Sequence, residues 1–431
     1  MRELIESICT GFTEFDAAPW ESDVDGPIGW PGYGEARRRA EERTGERESV
    51  VCGSGKIGDV EATLLVFEFG FLGGSVGRRT GDRIEAAFRR ARELRTPVVS
   101  LIATGGSRMQ EGMAALSQLQ RIAREAALTR AAGLPQVSVL RDPTTGGGWA
   151  TLGAGADVVL ALGGAQVGFA GSRVRPSGDD AAYTAESQLA HGHVDRIVED
   201  LPAELGRWLS LLTRPAHGAP EPPRHPHGTP LPETGWDAVR AARAPGRPHA
   251  EAYLDEYFDW RENISGDRCG GVDPGVLCGF GSRGGRTIAY AAQCGTPTSP
   301  AGFRTAARLI RLADRLGIPV LTLVDTPGAA NDGAAERAGA GPAIAETFAA
   351  IASASVPVTT LVIGEGGSGG ALAFAAPGRT WVTADSYFSV TSPEAAAAIL
   401  KRPPEEVPAT ADQLRLRPQD LVALGLAQGI V

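Results

Sequence analysis

Glycines that directly follow short apolar runs are the residues of this sequence best placed to do chemistry. They occur in both halves of the chain, as Gly105, Gly106, Gly147, Gly148, Gly328, Gly369 and Gly370. Glycine lets backbone N–H groups approach a ligand that a side chain would keep away. N–H groups at the start of a helix also favour negative charge. The pattern indicates oxyanion holes, which would stabilise the enolate oxygen of a thioester as its α-proton leaves.

A single glycine pair at a strand end more often marks only a turn with close helix packing. The recurrence of such pairs at matching positions favours a functional interpretation. Neither dinucleotide-binding nor Walker spacing is present, so a nucleotide phosphate site is not expected. Ser368 resembles a hydrolase nucleophile, but no histidine follows it in the chain, which excludes a triad in the usual elbow order. Asp142, Asp325 and Glu365 could be general bases, although turn capping is the favoured role.

An internal repeat at a constant offset organises these glycines. Pro97 and Pro135 start apolar runs in the first half, and Pro319 and Pro357 start the corresponding runs in the second half. Each repeat is predicted to contain a strand, an amphipathic helical stretch (111–132 or 335–354) and a second strand, followed by a tightly packed helix. The sequence therefore predicts an α/β protein of two duplicated units, each a spiral of ββα repeats with parallel strands.

Length and composition set the domain organisation. A chain of 431 residues fits two domains, and the proline-rich segment 214–234 predicts a linker between domains 1–213 and 235–431. A net charge of -9 argues against a nucleic-acid partner. The absence of a signal-like start and of long apolar runs predicts a cytoplasmic protein without membrane segments. The five cysteines have no metal-site spacing, so no metal is predicted.

Several motifs resemble the carboxyltransferase of bacterial acetyl-CoA carboxylase. Within residues 67–175 the β-subunit-like motifs are FEFGFLGGSVG, ATGGSRMQEG, SVLRDPTTGG and QVGFAGSR. Within residues 236–431 the α-subunit-like motifs are ISGDR, VDTPGA, AERAG, VIGEGGSGGALA and YFSVTSPEAAAAIL. The resemblance implies crotonase-like domains, with the β-like domain binding acyl-CoA and the α-like domain binding biotin.

The resemblance also implies carboxyl transfer from carboxybiotin on a carrier protein to the α-carbon of a short acyl-CoA, such as acetyl-CoA. Carboxybiotin would release CO2, its ureido anion would take the α-proton, and the enolate would attack CO2. The chain has no biotin carboxylase region and no Met-Lys-Met biotinylation sequence, so separate biotin carboxylase and biotin carboxyl carrier partners are implied. A homodimer or larger homo-oligomer is implied as well.

Roles for individual residues follow from the same resemblance. The residues expected to form the catalytic oxyanion holes are Gly105, Gly106, Gly147, Gly148, Gly369, Gly370 and Ala371. Those expected at the biotin are Gly328, Gly367, Ser368, Gly369 and Gly370. Those expected at the acyl-CoA are Gly73, Gly74, Ser75, Arg108, Phe169 and Gly171.

Departures from the family keep an alternative open. Cys9 and Cys52 cannot form the four-cysteine zinc ribbon of many β subunits, and residues 291–297 lack the family's longer, lysine-containing loop. Thr104 and Ser107 also differ from the usual residues around the first glycine pair. The shortened loop favours the alternative of a biotin-independent crotonase-type enzyme that decarboxylates or hydrolyses an acyl thioester. A non-catalytic assembly partner is a third hypothesis, against which the retained glycines argue.

Overall fold

The computed structural model describes residues 1–16 and 24–431. These residues form two compact units, Met1–Thr213 and Arg214–Val431. Each unit contains a mixed sheet whose antiparallel edge leads into a parallel centre. Parallel strands require crossover connections, and helices supply them in both units. The predicted α/β class with two related units is confirmed.

In the first unit the sheet order is β1-β2-β3-β4-β5-β6-β8, and the short strand β7 pairs with β5. The strands are β1 (Thr10–Glu14), β2 (Val50–Ile57), β3 (Val60–Phe67), β4 (Val98–Thr104), β5 (Gln136–Thr145), β6 (Val158–Leu162), β7 (Val167–Gly168) and β8 (Arg196–Val198). Pairing is antiparallel from β1 to β3 and parallel from β3 onward. Every residue of β4 is buried, as is typical of central parallel strands that are covered on both faces.

In the second unit the sheet order is β14-β13-β12-β11-β10-β9, and β15 pairs with β13. The strands are β9 (Trp260–Ile264), β10 (Val276–Arg283), β11 (Arg286–Gln293), β12 (Val320–Thr326), β13 (Val358–Gly367), β14 (Thr380–Val382) and β15 (Tyr387–Ser389). Pairing is antiparallel from β9 to β11 and parallel from β11 onward.

The helices connect these strands and cover the sheets. In the first unit they are α1 (Arg2–Ile8), α2 (Tyr33–Thr44), α3 (Arg78–Leu94), α4 (Met113–Leu116), α5 (Gln118–Ala131), α6 (Gly146–Gly148), α7 (Ala185–Ala190) and α8 (Leu201–Thr213). In the second unit they are α9 (Gly235–Ala242), α10 (Ala250–Tyr257), α11 (Pro300–Leu316), α12 (Gly333–Arg337), α13 (Ala340–Ser353), α14 (Ser368–Leu372), α15 (Pro393–Ile399), α16 (Val407–Gln413) and α17 (Pro418–Ala423). A π-helical turn, Trp149–Gly153, continues α6.

The repeat in the sequence is also a repeat in the structure. Strands β4 and β5 recur as β12 and β13, with both ends displaced by the offset that separates Pro97 from Pro319. Helices α3 and α5 recur as α11 and α13 at the same offset. The parallel ladder shows a register irregularity before Thr104, and the same irregularity lies before Thr326. The chain therefore builds the same strand-end geometry twice.

Both predicted long helices are interrupted, so this part of the prediction is wrong in detail. The first, predicted over 111–132, is divided into α4 and α5, and Gly112 before it has φ 54° and ψ -135°, which no helix contains. The second, predicted over 335–354, is divided at Gly339, which has φ 81°. Glycine adopts such angles without a Cβ clash, so the chain changes direction at these points.

The proline-rich segment 214–234 packs on the second unit. Pro215 pairs with Thr287 of β11, and the Thr359 hydroxyl of β13 donates to the Pro220 carbonyl at 2.8 Å. His225 Nε2 lies 3.0 Å from an Asp385 carboxylate oxygen. These contacts attach the segment to β11, to β13 and to the turn between β14 and β15.

The duplication predicts equal energetic roles for Leu101 and Leu323, which occupy equivalent positions of β4 and β12 and are both fully buried. Leu101→Ala and Leu323→Ala should each lower the free energy of unfolding by about 2–5 kcal/mol, because each removes buried methyl groups and leaves a cavity. Urea denaturation followed by circular dichroism measures the loss. Leu400→Ala, at a side chain that is 56% exposed, is the control. A neutral effect at either buried leucine would contradict the equivalence.

Candidate active site

The first glycine turn follows β4 and is hydrogen bonded to a neighbouring loop. Gly106 has φ 105°, a conformation that favours glycine. The Gly105 N–H donates to the Gly73 carbonyl at 2.9 Å, and the Val76 N–H donates to the Gly106 carbonyl at 2.8 Å. The Gly106 N–H donates to the Thr104 hydroxyl at 3.0 Å. The turn therefore fixes the loop that contains Gly73.

The second glycine turn of the first unit lies against the first. A Cβ built on Gly146 would lie 3.0 Å from the Gly106 Cα, and one built on Gly106 would lie 3.8 Å from the Gly147 nitrogen. Gly147 and Gly148 are in the first turn of α6, where N–H groups have no acceptor within their own helix. The structure thus brings the Gly105–Gly106 turn and the Gly147–Gly148 turn together, but the N–H groups of Gly105 and Gly106 already have acceptors.

The second unit reproduces this geometry. Gly328 has φ 146° and Ser368 has φ 57°, at the positions equivalent to Gly106 and Gly146. The Gly328 N–H donates to the Thr326 hydroxyl at 3.1 Å, as Gly106 does to Thr104. An L-residue with left-handed angles costs roughly 1–2 kcal/mol, so the conformation of Ser368 is maintained by its surroundings.

Gly369 and Gly370 start α14 beside the Gly328 turn. A Cβ on Gly370 would lie 2.3 Å from the Ala329 nitrogen, and one on Gly367 would lie 2.0 Å from the Pro327 carbonyl oxygen. Glycine is therefore required at both positions for the two backbones to approach. Ala371 follows within the helix and is buried.

The two units differ in how open their helix starts are. In the first unit a Cβ on Gly147 would lie 2.5 Å from the Leu119 side chain, whereas in the second unit a Cβ on Gly369 would meet no atom within 4 Å. The position equivalent to Leu119 is Gly341. Gly369 also borders a cavity of about 450 Å³. The other residues lining the cavity are Ser368, Leu372, Thr380, Val382, Phe388, Ser389, Val390, Leu414, Arg415, Leu421, Leu424, Leu426 and Ala427.

The two glycine turns of the first unit adjoin most of the residues expected to contact acyl-CoA. Gly74 packs so closely on β4 that a Cβ would lie 2.0 Å from the Ala103 carbonyl oxygen. The Phe169 carbonyl accepts a hydrogen bond from the Gly146 N–H at 3.1 Å, while the Phe169 side chain is 73% exposed. A Cβ on Gly171 would lie 3.6 Å from the Thr145 hydroxyl. Gly73 and Ser75 flank Gly74 in the same loop.

Arg108, which is predicted to bind the substrate, lies beneath this loop and not at its surface. Its side chain is 1% exposed and forms ion pairs with Glu48 and Glu111, which are equally buried. Its guanidinium also donates to the Ser75 carbonyl at 2.7 Å and to the Tyr33 hydroxyl at 3.2 Å. Arg108 therefore orients the loop from below and has no exposed group for a ligand.

The acidic residues considered as general bases are engaged by other groups. Asp325 is fully buried and accepts two hydrogen bonds of 2.7 Å from Arg247, and the His249 Nδ1 lies 3.3 Å away. Glu365 accepts hydrogen bonds of 2.7 Å from Arg243 and from the Tyr387 hydroxyl. Both carboxylates are therefore paired with arginines.

Asp142 accepts a hydrogen bond of 2.9 Å from the Gln166 N–H, so it caps a turn.

Gln293, for which the sequence predicts no role, donates to the Gly370 carbonyl at 3.1 Å. In the sequence, only its position as a polar residue at the end of the apolar run of β11 indicates a special role.

In the described ranges, 1–16 and 24–431, no group of three His, Cys, Asp or Glu side chains is placed to hold a metal ion. Among the helices that the structure describes, none is both long and apolar enough to cross a membrane.

The chain matches two protein families over most of its length. Residues 33–195 match the carboxyl transferase domain family, and residues 233–431 match the family described as acetyl co-enzyme A carboxylase carboxyltransferase-like. The chain is 38% identical over 455 residues to the acetyl-coenzyme A carboxylase carboxyl transferase subunits beta/alpha of Saccharopolyspora erythraea, covering 100% of this chain and 80% of the relative. The Salinispora tropica protein of the same name is 40% identical, with coverages of 96% and 78%.

A relative with another name and two solved structures extend the comparison. The probable biotin-dependent acyl-coenzyme A carboxylase beta3 subunit of Mycobacterium bovis is 33% identical over 96% of this chain and 85% of that protein. The transcarboxylase 12S structure with methylmalonyl-coenzyme A bound has a TM-score of 0.80 at 20% identity, covering all of this chain and 86% of that one. A single-chain long-chain acyl-CoA carboxylase has a TM-score of 0.78 at 19% identity, covering all of this chain and 44% of that one. Both structures have the same fold as this chain.

The buried Arg108 cluster predicts a pH-dependent stability. Burial opposes the ionisation of Glu48, but the charge and hydrogen bonds of Arg108 outweigh it and lower the pKa of Glu48 to about 2. Because the pKa is lower in the folded state, the stabilisation is present above the unfolded pKa, about 4.3, and is lost as the pH falls towards 2. Glu48→Gln should lower the melting temperature at pH 7, and its difference from the native protein should shrink below about pH 4.

Thermal unfolding followed by circular dichroism at several pH values measures this difference. Glu42→Gln, which removes an exposed partner of Arg38, is the control and should change little at any pH. A difference between Glu48→Gln and the native protein that stays constant from pH 7 to pH 2 would show that Glu48 is not the titrating group.

Proposed function

Because the chain belongs to the acetyl-CoA carboxylase carboxyl transferase β/α family, we propose that it moves a carboxyl group from carboxybiotin to the α-carbon of a short acyl-CoA. It is the carboxyl transferase component of a biotin-dependent acyl-CoA carboxylase. The observation that carries the finer proposal is the pair of glycine turns built twice, once in each unit. Two oxygens gain negative charge in this reaction, one on the thioester and one on the biotin ureido group, and the chain offers one hole for each.

The first unit holds the thioester oxygen in this proposal. The N–H groups of Gly147 and Gly148 lie in the first turn of a helix, where both the unpaired donors and the helix dipole favour negative charge. Gly106 contributes the adjoining wall, since its turn contacts Gly146. Gly105 supports the site indirectly, because its N–H is bonded to the Gly73 carbonyl. Enolate formation is easier where such donors are already oriented.

The acyl-CoA lies over the loop of Gly73, Gly74 and Ser75 and beside Phe169 and Gly171. The support for this placement is that both segments are hydrogen bonded to, or packed on, the two glycine turns of the same unit. The exposed Phe169 ring offers an apolar face for a ligand. Arg108 keeps the loop in position through the Ser75 carbonyl.

The second unit holds the ureido oxygen in this proposal. The N–H groups of Gly369, Gly370 and Ala371 are the proposed donors, and the turns at Gly328 and Gly367 allow the close approach of backbone that forms the hole. Space is available, since no atom lies within 4 Å of a Cβ on Gly369 and an apolar cavity borders Ser368. When bound, carboxybiotin supplies both the CO2 and the ureido nitrogen that accepts the proton.

The chain itself supplies no proton acceptor in this scheme. Asp325 and Glu365 stand closest in sequence to the glycine turns, and both are paired with arginines. The role of the protein is to hold two substrates and to stabilise charge through the backbone. We propose that carboxybiotin arrives on a separate carrier protein charged by a separate biotin carboxylase, and that copies of this chain assemble into a homo-oligomer.

The proposal predicts a biotin-dependent reverse reaction. The purified protein should decarboxylate malonyl-CoA or methylmalonyl-CoA only when free biotin is present, measured as acyl-CoA release by liquid chromatography. Gly369→Val should reduce the turnover by about 100-fold, since it blocks the helix start without a backbone clash. Gly228→Val is the matched control, because a Cβ there also meets no atom within 4 Å and the residue lies in the proline-rich segment.

Two outcomes would contradict the proposal. Decarboxylation that is equally fast without biotin would favour the alternative of a biotin-independent thioester enzyme. The shortened loop of the second unit, which has six residues (294–299) where the first unit has ten (68–77), is the feature that favours this alternative. Equal activity of Gly369→Val and the control would remove the second hole from the mechanism.

A further inference from the structure

Gln293 is a buried amide that is hydrogen bonded to the backbone of the second hole. It ends β11 and is fully buried. Its Nε2 donates to the Gly370 carbonyl at 3.1 Å and to the Thr298 hydroxyl at 3.0 Å. A single side chain therefore joins the end of one strand to the first turn of α14.

Thr298 extends this connection to the other glycine turn. The Thr298 N–H donates to the Gly328 carbonyl at 3.1 Å, and the Thr298 carbonyl accepts from the Ala330 N–H at 2.8 Å. Gln293 thus contacts the Gly370 turn directly and the Gly328 turn through Thr298. These hydrogen bonds join the two turns in addition to their direct packing at Gly370 and Ala329.

The Gly370 carbonyl needs a partner from outside its helix. The Phe374 N–H, which a regular helix would direct to Gly370, donates instead to the Ala371 carbonyl at 3.1 Å. Without Gln293 a buried carbonyl would lose a hydrogen bond. The Gly370 carbonyl and the Ala371 N–H belong to one planar peptide unit, so a bond to the first also fixes the direction of the second.

The first unit provides an internal comparison. The pairing of Leu65 with Ser100 and of Ala291 with Thr322 makes Phe67 the equivalent of Gln293. Phe67 is also fully buried but has no polar group. Burying an amide is unfavourable unless it is hydrogen bonded, and Gln293 Oε1 has no partner in the part of the chain that the structure describes. Because the two halves are duplicated, a buried amide that replaces an apolar ring only in the second half indicates a requirement that only the second hole has.

We propose that Gln293 is the positioning residue of the second hole, which sets the orientation of the N–H groups at Gly369, Gly370 and Ala371 for the biotin ureido oxygen. The inference rests on the proposed function. Gln293 does not touch the reacting atoms, and it acts through the Gly370 peptide. Its loss therefore weakens the use of biotin and leaves the binding of acyl-CoA to the first unit unchanged.

Steady-state kinetics of biotin-dependent malonyl-CoA decarboxylation by Gln293→Met test this separation. Methionine keeps the length of the side chain and removes the amide. The KM for free biotin should rise about tenfold, as expected for the loss of one oriented hydrogen bond to the turn, while the KM for malonyl-CoA stays within about twofold. If Gln293 had only a structural role, its replacement would change the KM values for biotin and for malonyl-CoA together, or would change neither.

Gln136→Met is the matched control. Gln136 is also a buried glutamine, and its Nε2 donates to the Ala126 carbonyl at 2.7 Å, but it lies at the start of β5, away from the glycine turns at the strand end. The control should lower stability to a similar degree and leave the KM for biotin unchanged.

Hydrogen–deuterium exchange of the free protein gives a reading that does not depend on turnover. In Gln293→Met the peptide covering residues 366–372 should exchange faster than in the native protein, while the equivalent peptide 144–150 should not change. Unchanged exchange and an unchanged KM for biotin in an active enzyme would overturn the inference and leave the proposed function intact. A native protein without biotin-dependent turnover would instead overturn the proposed function, and the exchange of residues 366–372 would still decide whether Gln293 fixes the turn.

Discussion

The direct contact between two glycine turns is the constraint on which the site depends. In the first unit the backbone at Gly106 approaches Gly146 so closely that a side chain on Gly146 would press on the neighbouring Cα. In the second unit Gly370 packs in the same manner against Ala329. This approach is possible because two adjacent parallel strands end at the same level and glycine occupies the positions that come into closest contact. Donors from separate parts of the sequence are thereby gathered in one place.

The sequence predicts this arrangement well because its signals are local. The constant offset between the two repeats, the apolar runs and the glycines that end them are visible without a structure, and the strands β4, β5, β12 and β13 lie where these signals place them. The helices were less predictable. Gly112 and Gly339 adopt angles that interrupt the helical periodicity, and an amphipathic pattern alone does not show where a glycine will leave the helical region.

Side-chain roles were harder to predict, because they depend on partners distant in the chain. Arg108 stands in a motif next to the first glycine turn, yet Glu48, 60 residues earlier, pairs with it in the interior. Gln293 carries no motif of its own, and its importance follows only from the position of the Gly370 carbonyl 77 residues later. The two halves then differ where their neighbours differ: Leu119 covers the helix start in the first unit, and Gly341 leaves it open in the second. That asymmetry supports the proposal that the two holes hold different ligands.

In the proposed mechanism backbone N–H groups, and not side chains, hold both oxygens that gain charge. A crystal structure of the protein with malonyl-CoA and biotin bound would show these contacts. The thioester oxygen should lie within about 3 Å of the N–H groups at the start of α6, and the ureido oxygen at the same distance from those at the start of α14. Either oxygen held by a side chain, or placed away from both helix starts, would contradict this mechanism.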